Sequence, residues 1–310
     1  IDVSCGTGSN IVIGSRENVI YRITPRENND VNGCWLPDSH RLNFKYLSRA
    51  DRLKVPAVKG EPVDWRTAIA IAGELLKGPD PDSIALIASA RMTNEELFLT
   101  RRLIDTLEIG KQHDVLPREG EPDGLLIAAD RNPNTNGARL LGLCGSRPGA
   151  RLQKLADGIR NGTIQTLICL GEDATRAGLT EEDLKKLDAL LVMDILPNKT
   201  TALATVLLPA SGWAEKRGSM INLKGRLQRL NRAVHPPGQA RDDWEILRDL
   251  LQSISGSNGL PLIEDVFKAM AADVKEFAGL NSSKIGDLGI QLLKLKEEAE
   301  TREASLEAAR

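Results

Sequence analysis

The chain has 310 residues, enough for more than one packed domain. Its hydrophobic share of 41% and charged share of 27% are ordinary for a soluble globular protein, and its formal net charge of -2 argues against a nucleic-acid-binding protein. The longest apolar runs, such as residues 190–196, are too short to span a bilayer.

Residues 1–52 predict a small β-rich subdomain. Within it, residues 10–26 hold two short extended runs joined by a polar turn between Ser15 and Asn18, which indicates a hairpin. A segment this small would not fold alone without a metal or a neighbouring domain. Because the sequence begins at Ile1 rather than Met, we expect a processed chain or part of a longer one.

Residues 53–247 predict a Rossmann-like α/β region, with mainly parallel sheet layers and flanking helices. Asp64 suits the N-cap of one helix that ends before Gly78, and Thr93 and Glu96 have the spacing of a capping box. Strands that alternate with helices are typical of a parallel sheet. The predicted helices cover residues 64–78, 93–107, 148–162 and 180–190, and the predicted strands cover residues 82–89, 123–130, 164–173, 190–196 and 204–210.

Residues 248–310 predict a helical C-terminal extension. The stretches 241–254 and 263–279 are amphipathic, as expected of helices that pack on one face. The last stretch, residues 293–310, is charged and rich in alanine, which is typical of a solvated helix or a frayed tail.

The cysteines and histidines form no metal-binding motif. The four cysteines lack a C-x-x-C pair and are expected to be reduced; Cys169 is interpreted as a core residue and Cys144 as a structural or loop residue. The three histidines are far apart and are interpreted as surface or hydrogen-bonding residues. The other two cysteines are Cys5 and Cys34, and the histidines are His40, His113 and His235.

A nucleotide-binding module is the natural alternative for a Rossmann-like sheet, but its phosphate-binding motifs are missing from the sequence. Gly171 and Gly178 follow a predicted strand with the wrong spacing for G-x-G-x-x-G. Glu172 and Asp173 crowd that turn and would repel a pyrophosphate.

Two stretches resemble the molybdopterin oxidoreductase superfamily. Residues 3–44 resemble its N-terminal cluster-binding segment. Residues 204–247 resemble a second stretch, a strand ending in Leu-Pro-Ala that is followed by Trp213-Ala-Glu-Lys, a Gly, an Asn and Gly225-Arg-x-Gln. Within the superfamily, the chain is most similar to the C-terminal molybdopterin-like domain of the large iron–sulfur (G or 75 kDa) subunit of NADH:quinone oxidoreductase, respiratory complex I.

The resemblance implies a cluster site whose ligands have changed. The family carries C-x-x-C-x-x-x-C and a later fourth Cys, and Cys5 aligns with the second of these. Cys34 lies three residues before the place of the fourth ligand. A cubane cluster needs four thiolate-type ligands, so we expect Cys5 to be the remnant of a lost 4Fe-4S site. The first, third and fourth positions hold Asp2, Ser9 and Pro37.

The molybdenum ligand of active family members also has no counterpart. In those enzymes a Cys, selenocysteine or Ser lies downstream of the helix that residues 94–107 resemble. Residues 108–128 are shortened here and contain no Cys, and His113 is nearby but alone. We therefore predict no catalytic, cofactor-binding or metal-binding residue and no cofactor in this chain, with FMN and iron–sulfur clusters in other parts of the complex.

A basic segment, residues 215–232, leaves two interpretations open. It meets an acidic partner or the polar groups of a lost cofactor site, or it is a solvated β-hairpin, which we favour. The tryptophans are interpreted as packing anchors. These residues are Lys216, Arg217, Lys224, Arg226, Arg229 and Arg232, with Trp65, Trp213 and Trp244.

The resemblance implies a structural domain of complex I without its own redox centre. Its expected partners are other hydrophilic-arm subunits and the upstream iron–sulfur region of the same subunit, with no nucleic acid and no membrane span. Its expected location is cytoplasmic, peripheral to the inner membrane. Two alternatives stay open: a fragment of an active molybdenum or tungsten oxidoreductase of the formate dehydrogenase kind, and a Rossmann-like nucleotide-binding module.

Overall fold

The computed structural model describes residues 1–257 and 259–294. They form a seven-stranded central sheet with helices on both faces, an N-terminal two-stranded hairpin and a small three-stranded antiparallel sheet. The predicted fold class, α/β with a β-rich start and a mainly parallel sheet, is confirmed. Within these described ranges, no helix is long and apolar enough to cross a bilayer.

The N-terminal segment contains the predicted hairpin. Strands β1 (Ile11–Arg16) and β2 (Val19–Pro25) pair antiparallel, and the short helix α1 (Asp38–Arg41) follows. Glu17 and Asn18 form the turn with φ of 51° and 62°, the left-handed pair that a two-residue hairpin turn of this type requires.

The central sheet has the strand order β4-β3-β9-β8-β7-β5-β6, with parallel pairing from β9 to β6 and antiparallel pairing of β3 with β9 and β4. Its elements in chain order are β3 (Ala57–Val58), β4 (Glu61–Pro62), α2 (Trp65–Lys77), β5 (Ile84–Ala88), α3 (Asn94–Thr106), β6 (His113–Val115), α4 (Thr135–Leu140), α5 (Leu152–Arg160), β7 (Thr166–Leu170), α6 (Glu181–Leu184), β8 (Ala189–Asp194) and β9 (Val206–Pro209).

The chain then forms the small sheet and two longer helices. The predicted helix over residues 241–254 is confirmed, whereas the one over 263–279 ends early because a 3₁₀ turn replaces it. The predicted tail beyond residue 294 lies outside the described residues. The elements are β10 (Gly218–Ile221), β11 (Arg226–Leu230), α7 (Asp243–Ser255), α8 (Ile263–Asp273) and β12 (Ile290–Gln291).

The predicted capping signals operate where expected. The Asp64 carboxylate accepts a hydrogen bond from the Thr67 amide at 2.7 Å, at the start of α2. At the start of α3, the Thr93 hydroxyl accepts from the Glu96 amide, and the Glu96 carboxylate accepts from the Thr93 amide. Both helices therefore begin at residues whose side chains satisfy free backbone N–H groups.

Three further predicted elements, all in residues 53–247, differ from the structure. Residues 123–130 form an exposed loop rather than a strand, and β6 (His113–Val115) occupies the sheet position beside β5 instead. Helix α5 begins at Leu152, after a turn that contains Pro148, and α6 covers four residues of the predicted 180–190. The apolar residues 124–129, "GLLIAA", match the pattern of a strand. In the described part of the chain, however, they do not pair with a neighbouring strand.

The core has one layer on each face of the sheet. On one face, α2, α3 and α7 pack together over the apolar side chains of β5 and β7 to β9. On the other face, α5 and α6 cover the alternate side chains of the same strands. Trp65, Trp213 and Trp244 are all buried, which confirms their interpretation as packing anchors.

Asp114 connects the sheet to the turn before α5. Its carboxylate accepts hydrogen bonds from the backbone amides of Val115 at 2.8 Å, Gly149 at 3.1 Å and Arg151 at 2.7 Å, and the residue is buried. We expect Asp114→Ala to lower the free energy of unfolding by about 2 kcal/mol, because it strands buried donors. Urea denaturation measures this. An equal loss in the exposed control Asp157→Ala would contradict it.

Candidate functional site

A crevice lies at the carboxyl ends of the parallel strands. The chain leaves β5 toward β6 on one side and returns to place β7, β8 and β9 on the other, so the strand order reverses between β5 and β7. In open α/β sheets such a reversal leaves a ligand-sized cleft. The crevice has a volume of about 350 Å³.

A buried carboxylate occupies the point of reversal. Glu172 directly follows Gly171 at the end of β7, and its carboxylate accepts a hydrogen bond from the Ser89 hydroxyl at 2.6 Å. Arg118 donates two more, at 2.5 Å and 3.2 Å, from the loop after β6. The side chain of Glu172 is completely buried, and that of Arg118 is 22% exposed. Three strand ends are thus joined by one charge-assisted network.

A second buried network lies on the opposite wall. The Lys216 ammonium is 2.9 Å from Glu96 Oε2 and 3.2 Å from Asp243 Oδ2, and the Ser211 hydroxyl also donates to Asp243. One cation therefore faces two carboxyls. Burial and the neighbouring Asp243 carboxylate raise the pKa of Glu96 to about 8, so its carboxyl keeps a proton near neutral pH. Its Oε1 atom has no hydrogen-bond partner among residues 1–257 and 259–294.

The position of Lys216 corrects the interpretation of residues 215–232 as a solvated hairpin. Strands β10 and β11 do form an antiparallel pair, but the Lys216 side chain is only 5% exposed and that of Arg226 only 12%. Arg226 pairs with Asp30 of the N-terminal segment at 2.6 Å. The basic segment therefore joins parts of this chain.

Of the remaining polar groups of the crevice, some have hydrogen-bond partners and others do not. Asp194 ends β8 and accepts from the Ile195 amide and the Asn198 side chain, and burial raises its pKa to about 6. Arg91 and Arg176 line the crevice without a carboxylate within 4 Å among the described residues. The buried indole N–H of Trp213 has no hydrogen-bond acceptor in the part of the chain that the structure describes.

The predicted remnant of the cluster site lies in the N-terminal turn, whose Val3 also lines the crevice. Cys5 is buried, and its thiol lies 3.8 Å from the Leu126 carbonyl. Asp2 is buried too, and its carboxylate contacts His40 Nδ1 at 2.6 Å and the Ser4 hydroxyl at 2.6 Å. Cys34 is exposed.

The other predicted cysteines and histidines have structural surroundings. Cys169 is fully buried in β7, where desolvation raises the pKa of its thiol, and desolvation raises the pKa of Cys144 to about 11. His113 is buried and hydrogen-bonds the Gly142 carbonyl at 3.1 Å, with its pKa lowered by burial. His235 is exposed.

Two family matches agree with this architecture. Residues 111–253 match the family described as molybdopterin oxidoreductase, which includes the crevice strands β7 to β9 and the Lys216 segment. Residues 1–45 match the family described as the NADH-ubiquinone oxidoreductase NDSU1/NuoG-like 4Fe-4S domain. The chain thus carries a molybdopterin oxidoreductase domain behind a NuoG-like 4Fe-4S domain.

The chain is similar to individual proteins of two kinds, a subunit of NADH-quinone oxidoreductase and formate dehydrogenases. The G subunit of NADH-quinone oxidoreductase from Rickettsia felis is 22% identical, over 91% of this chain and 59% of its own length. The F420-dependent formate dehydrogenase 2 subunit alpha from Methanococcus maripaludis is 36% identical over 134 residues, 41% of this chain and 20% of its own. The resemblance to the molybdopterin oxidoreductase superfamily and to the G subunit is confirmed, and this chain spans only about a fifth of the formate dehydrogenase.

A solved structure confirms the fold. Acetylene hydratase from Pelobacter acetylenicus aligns with a TM-score of 0.57 at 9% identity, covering 94% of this chain and 74% of that chain. At this identity the likeness extends to the fold alone.

The prediction that this chain has no cofactor is wrong at the level of its domains, because residues 1–45 match a 4Fe-4S domain. The side chains in that range that could bind iron are too few for a cubane cluster. Cys5 and Cys34 are its two cysteines, and Asp2 is already bonded to His40. Among the described residues, no group of three or more His, Cys, Asp or Glu side chains could hold a metal ion. These side chains do not supply the four ligands of a cubane, so we derive no redox step.

The crevice fits a pterin dinucleotide equally poorly. Its volume of about 350 Å³ lies at the small end of the range for ligand pockets. Glu172 and Asp173 stand at the turn where a pyrophosphate would need donors, and Lys216 is held by two carboxyls.

The sequence analysis did not predict that the buried charged side chains pair with one another. Glu96 was assigned only to the helix cap, and Lys216 to a solvated hairpin. The one signal available was position: Ser89, Glu172 and Asp194 each lie at or directly after the end of a strand, and parallel strands bring such residues to one edge.

Proposed function

We propose that this chain is the structural, molybdopterin-like part of the large iron–sulfur subunit of NADH:quinone oxidoreductase. In this role it holds the neighbouring parts of the complex in place while electrons pass from NADH to quinone. The main observation behind the proposal is the pairing of charges in the crevice. Most of the buried charged side chains that could bind a ligand there are bonded to one another instead. The match to the G subunit over 91% of the chain supports the choice of complex.

The internal pairing supports a structural role, because it joins the elements around the crevice without a ligand. The Glu172 network ties together residues that follow β5, β6 and β7, and the Lys216 network ties α3 to α7. Breaking a buried pair leaves an uncompensated charge and is strongly destabilising. These networks therefore fix the relative positions of the elements that surround the crevice.

The domain boundaries are part of the proposal. We assign residues 1–52 to the iron–sulfur-type unit, 53–247 to the α/β unit and 248–310 to the C-terminal extension, although helix α7 (Asp243–Ser255) runs across the second boundary. Arg52 lies at the first boundary and pairs with Glu215 at 2.7 Å, with both side chains buried. In the complex, we place the chain in a peripheral arm on the cytoplasmic side of the inner membrane, against other hydrophilic subunits.

A second candidate rests on the formate dehydrogenase relatives. In this candidate the chain is a fragment of an active molybdenum or tungsten oxidoreductase of the formate dehydrogenase kind, and the 36% identity over 134 residues to a formate dehydrogenase subunit supports it. The crevice cations Arg91 and Arg176 would be available to a ligand in that case. The nucleotide-binding alternative is weaker, since the Asp173 carboxylate lies in the turn after β7, accepts hydrogen bonds from Thr175 and Thr200, and would repel a phosphate there.

Metal and pterin analysis of the full subunit, purified from its complex, separates the two candidates. The scaffold predicts molybdenum and tungsten far below one atom per chain and no fluorescent pterin released on oxidation. Stoichiometric metal together with pterin would overturn the scaffold proposal in favour of the enzyme fragment. An authentic formate dehydrogenase, taken through the same purification, controls for loss of metal.

A further inference from the structure

The loop between β6 and α4 carries an apolar tip. We define the acidic loop as residues 117–131; at its tip the Leu125 side chain is 88% exposed, more than any other large hydrophobic residue described. Leu126 and Ile127 next to it are half-buried. Together the three side chains form a contiguous apolar tip, and exposed contiguous apolar patches, unlike single exposed residues, mark interaction sites.

The tip is held in one conformation. The Asp123 carboxylate accepts hydrogen bonds from three successive amides, those of Leu125, Leu126 and Ile127, at 2.9, 2.8 and 2.7 Å. The Asp123 amide donates to the Ile127 carbonyl at 3.2 Å and closes the loop. A tip that is already ordered loses little conformational entropy when it binds.

The base of the acidic loop is tied to the rest of the chain. Glu119 and Asp130 form an antiparallel bridge across it. Gly6 donates to the Asp130 carbonyl at 2.8 Å, and the Thr7 hydroxyl donates to the Leu126 carbonyl at 2.7 Å. The tip is therefore presented by two anchored sides.

The charge around the tip selects the kind of partner. Glu119, Glu121 and Asp123 are exposed, and no cation lies within 4 Å of their carboxylates among the residues described. An anionic lipid surface would repel this rim. A protein surface with lysines and arginines around an apolar pocket would complement both the charge and the leucine.

We propose that the acidic loop docks, with Leu125 as its anchor, into an apolar pocket rimmed by basic residues on another subunit of the same complex. The proposal rests on the proposed function, because it needs a multisubunit assembly. The area is small, so the anchor residue would carry most of the contact energy, as buried apolar anchors do in protein interfaces.

Site-specific photocrosslinking tests the proposal in cells that assemble the complex. The probe is p-benzoylphenylalanine at position 125 of the full subunit, and the matched control carries it at position 288, where the leucine is 46% exposed on another part of the surface. We expect irradiation to join position 125, and not position 288, to one defined subunit. Charge reversal by Glu121→Lys is expected to lower the yield roughly fivefold, as for loss of a rim ion pair, whereas Glu61→Lys leaves it unchanged.

The outcomes are distinct. Absence of a product at position 125, in a subunit that still copurifies with the complex, overturns the docking proposal alone. A lipid adduct, or a product that is the same at positions 125 and 288, overturns it as well. A wild-type subunit that copurifies with no complex overturns the proposed function and, with it, the docking proposal.

Discussion

Replacing Lys216 with Met is expected to lower the free energy of unfolding by about 3–5 kcal/mol, because it removes the single cation that faces two buried carboxyls. The Lys216 ammonium is 2.9 Å from Glu96 and 3.2 Å from Asp243, and all three side chains are at most 7% exposed. Urea or guanidinium denaturation of the wild type and the variant at pH 7 measures the difference.

A surface ion pair provides the matched control. Lys185 contacts Glu182 at 2.7 Å, but both side chains are largely exposed, so Lys185→Met is expected to cost less than about 1 kcal/mol. Because Glu96 keeps a proton at this pH, the carboxyl left without its counter-charge is Asp243, and adding Asp243→Asn to Lys216→Met is expected to recover part of the loss. A loss from Lys216→Met no larger than that from Lys185→Met would contradict the buried network.

Glu96→Gln is expected to flatten the dependence of stability on pH. The pKa of Glu96 is raised from 4.5 to about 8 by burial and by the Asp243 carboxylate, so the folded protein keeps a proton that the unfolded chain loses. Stability from this group is full below pH 4.5 and is lost as the pH rises toward 8. Between pH 5 and pH 8 the wild type is expected to lose about 3 kcal/mol more than the variant.

Denaturant titrations at several pH values measure this effect, with the exposed Glu182→Gln as control. Asp194 also has a pKa raised by burial, to about 6, and it contributes the same slope to both proteins. Parallel stability curves for the wild type and Glu96→Gln across this range would contradict the assignment of the proton to Glu96.

The local signals in the sequence predicted most of the sheet and its helices. Buried strands such as "IALIA" and "TLICL" are continuous apolar runs between turn residues, and the Thr93 and Glu96 spacing marked the start of α3. These features depend on neighbouring residues alone, so they can be predicted without knowledge of the fold.

The contacts between distant segments could not be predicted in the same way. Lys216 and Glu96 are 120 positions apart, and Ser89 and Glu172 are 83 apart. Hydrophobic periodicity carries no information about such pairs, so Lys216 looked like part of a solvated hairpin. The prediction of a strand over residues 123–130 was wrong for a related reason. A strand forms only where a partner strand is free to pair, and the sequence pattern does not show whether one is.

The scaffold account is tested most directly by separating the amount of assembled complex from its turnover. Arg118→Met breaks the network at Glu172, whereas Arg176→Met removes a crevice cation that has no carboxylate partner within 4 Å among the described side chains. The account predicts that Arg118→Met lowers the amount of assembled complex, that Arg176→Met does not, and that NADH:quinone turnover per assembled complex is unchanged in both. A fall in turnover per assembled complex in either variant, with assembly intact, would contradict it.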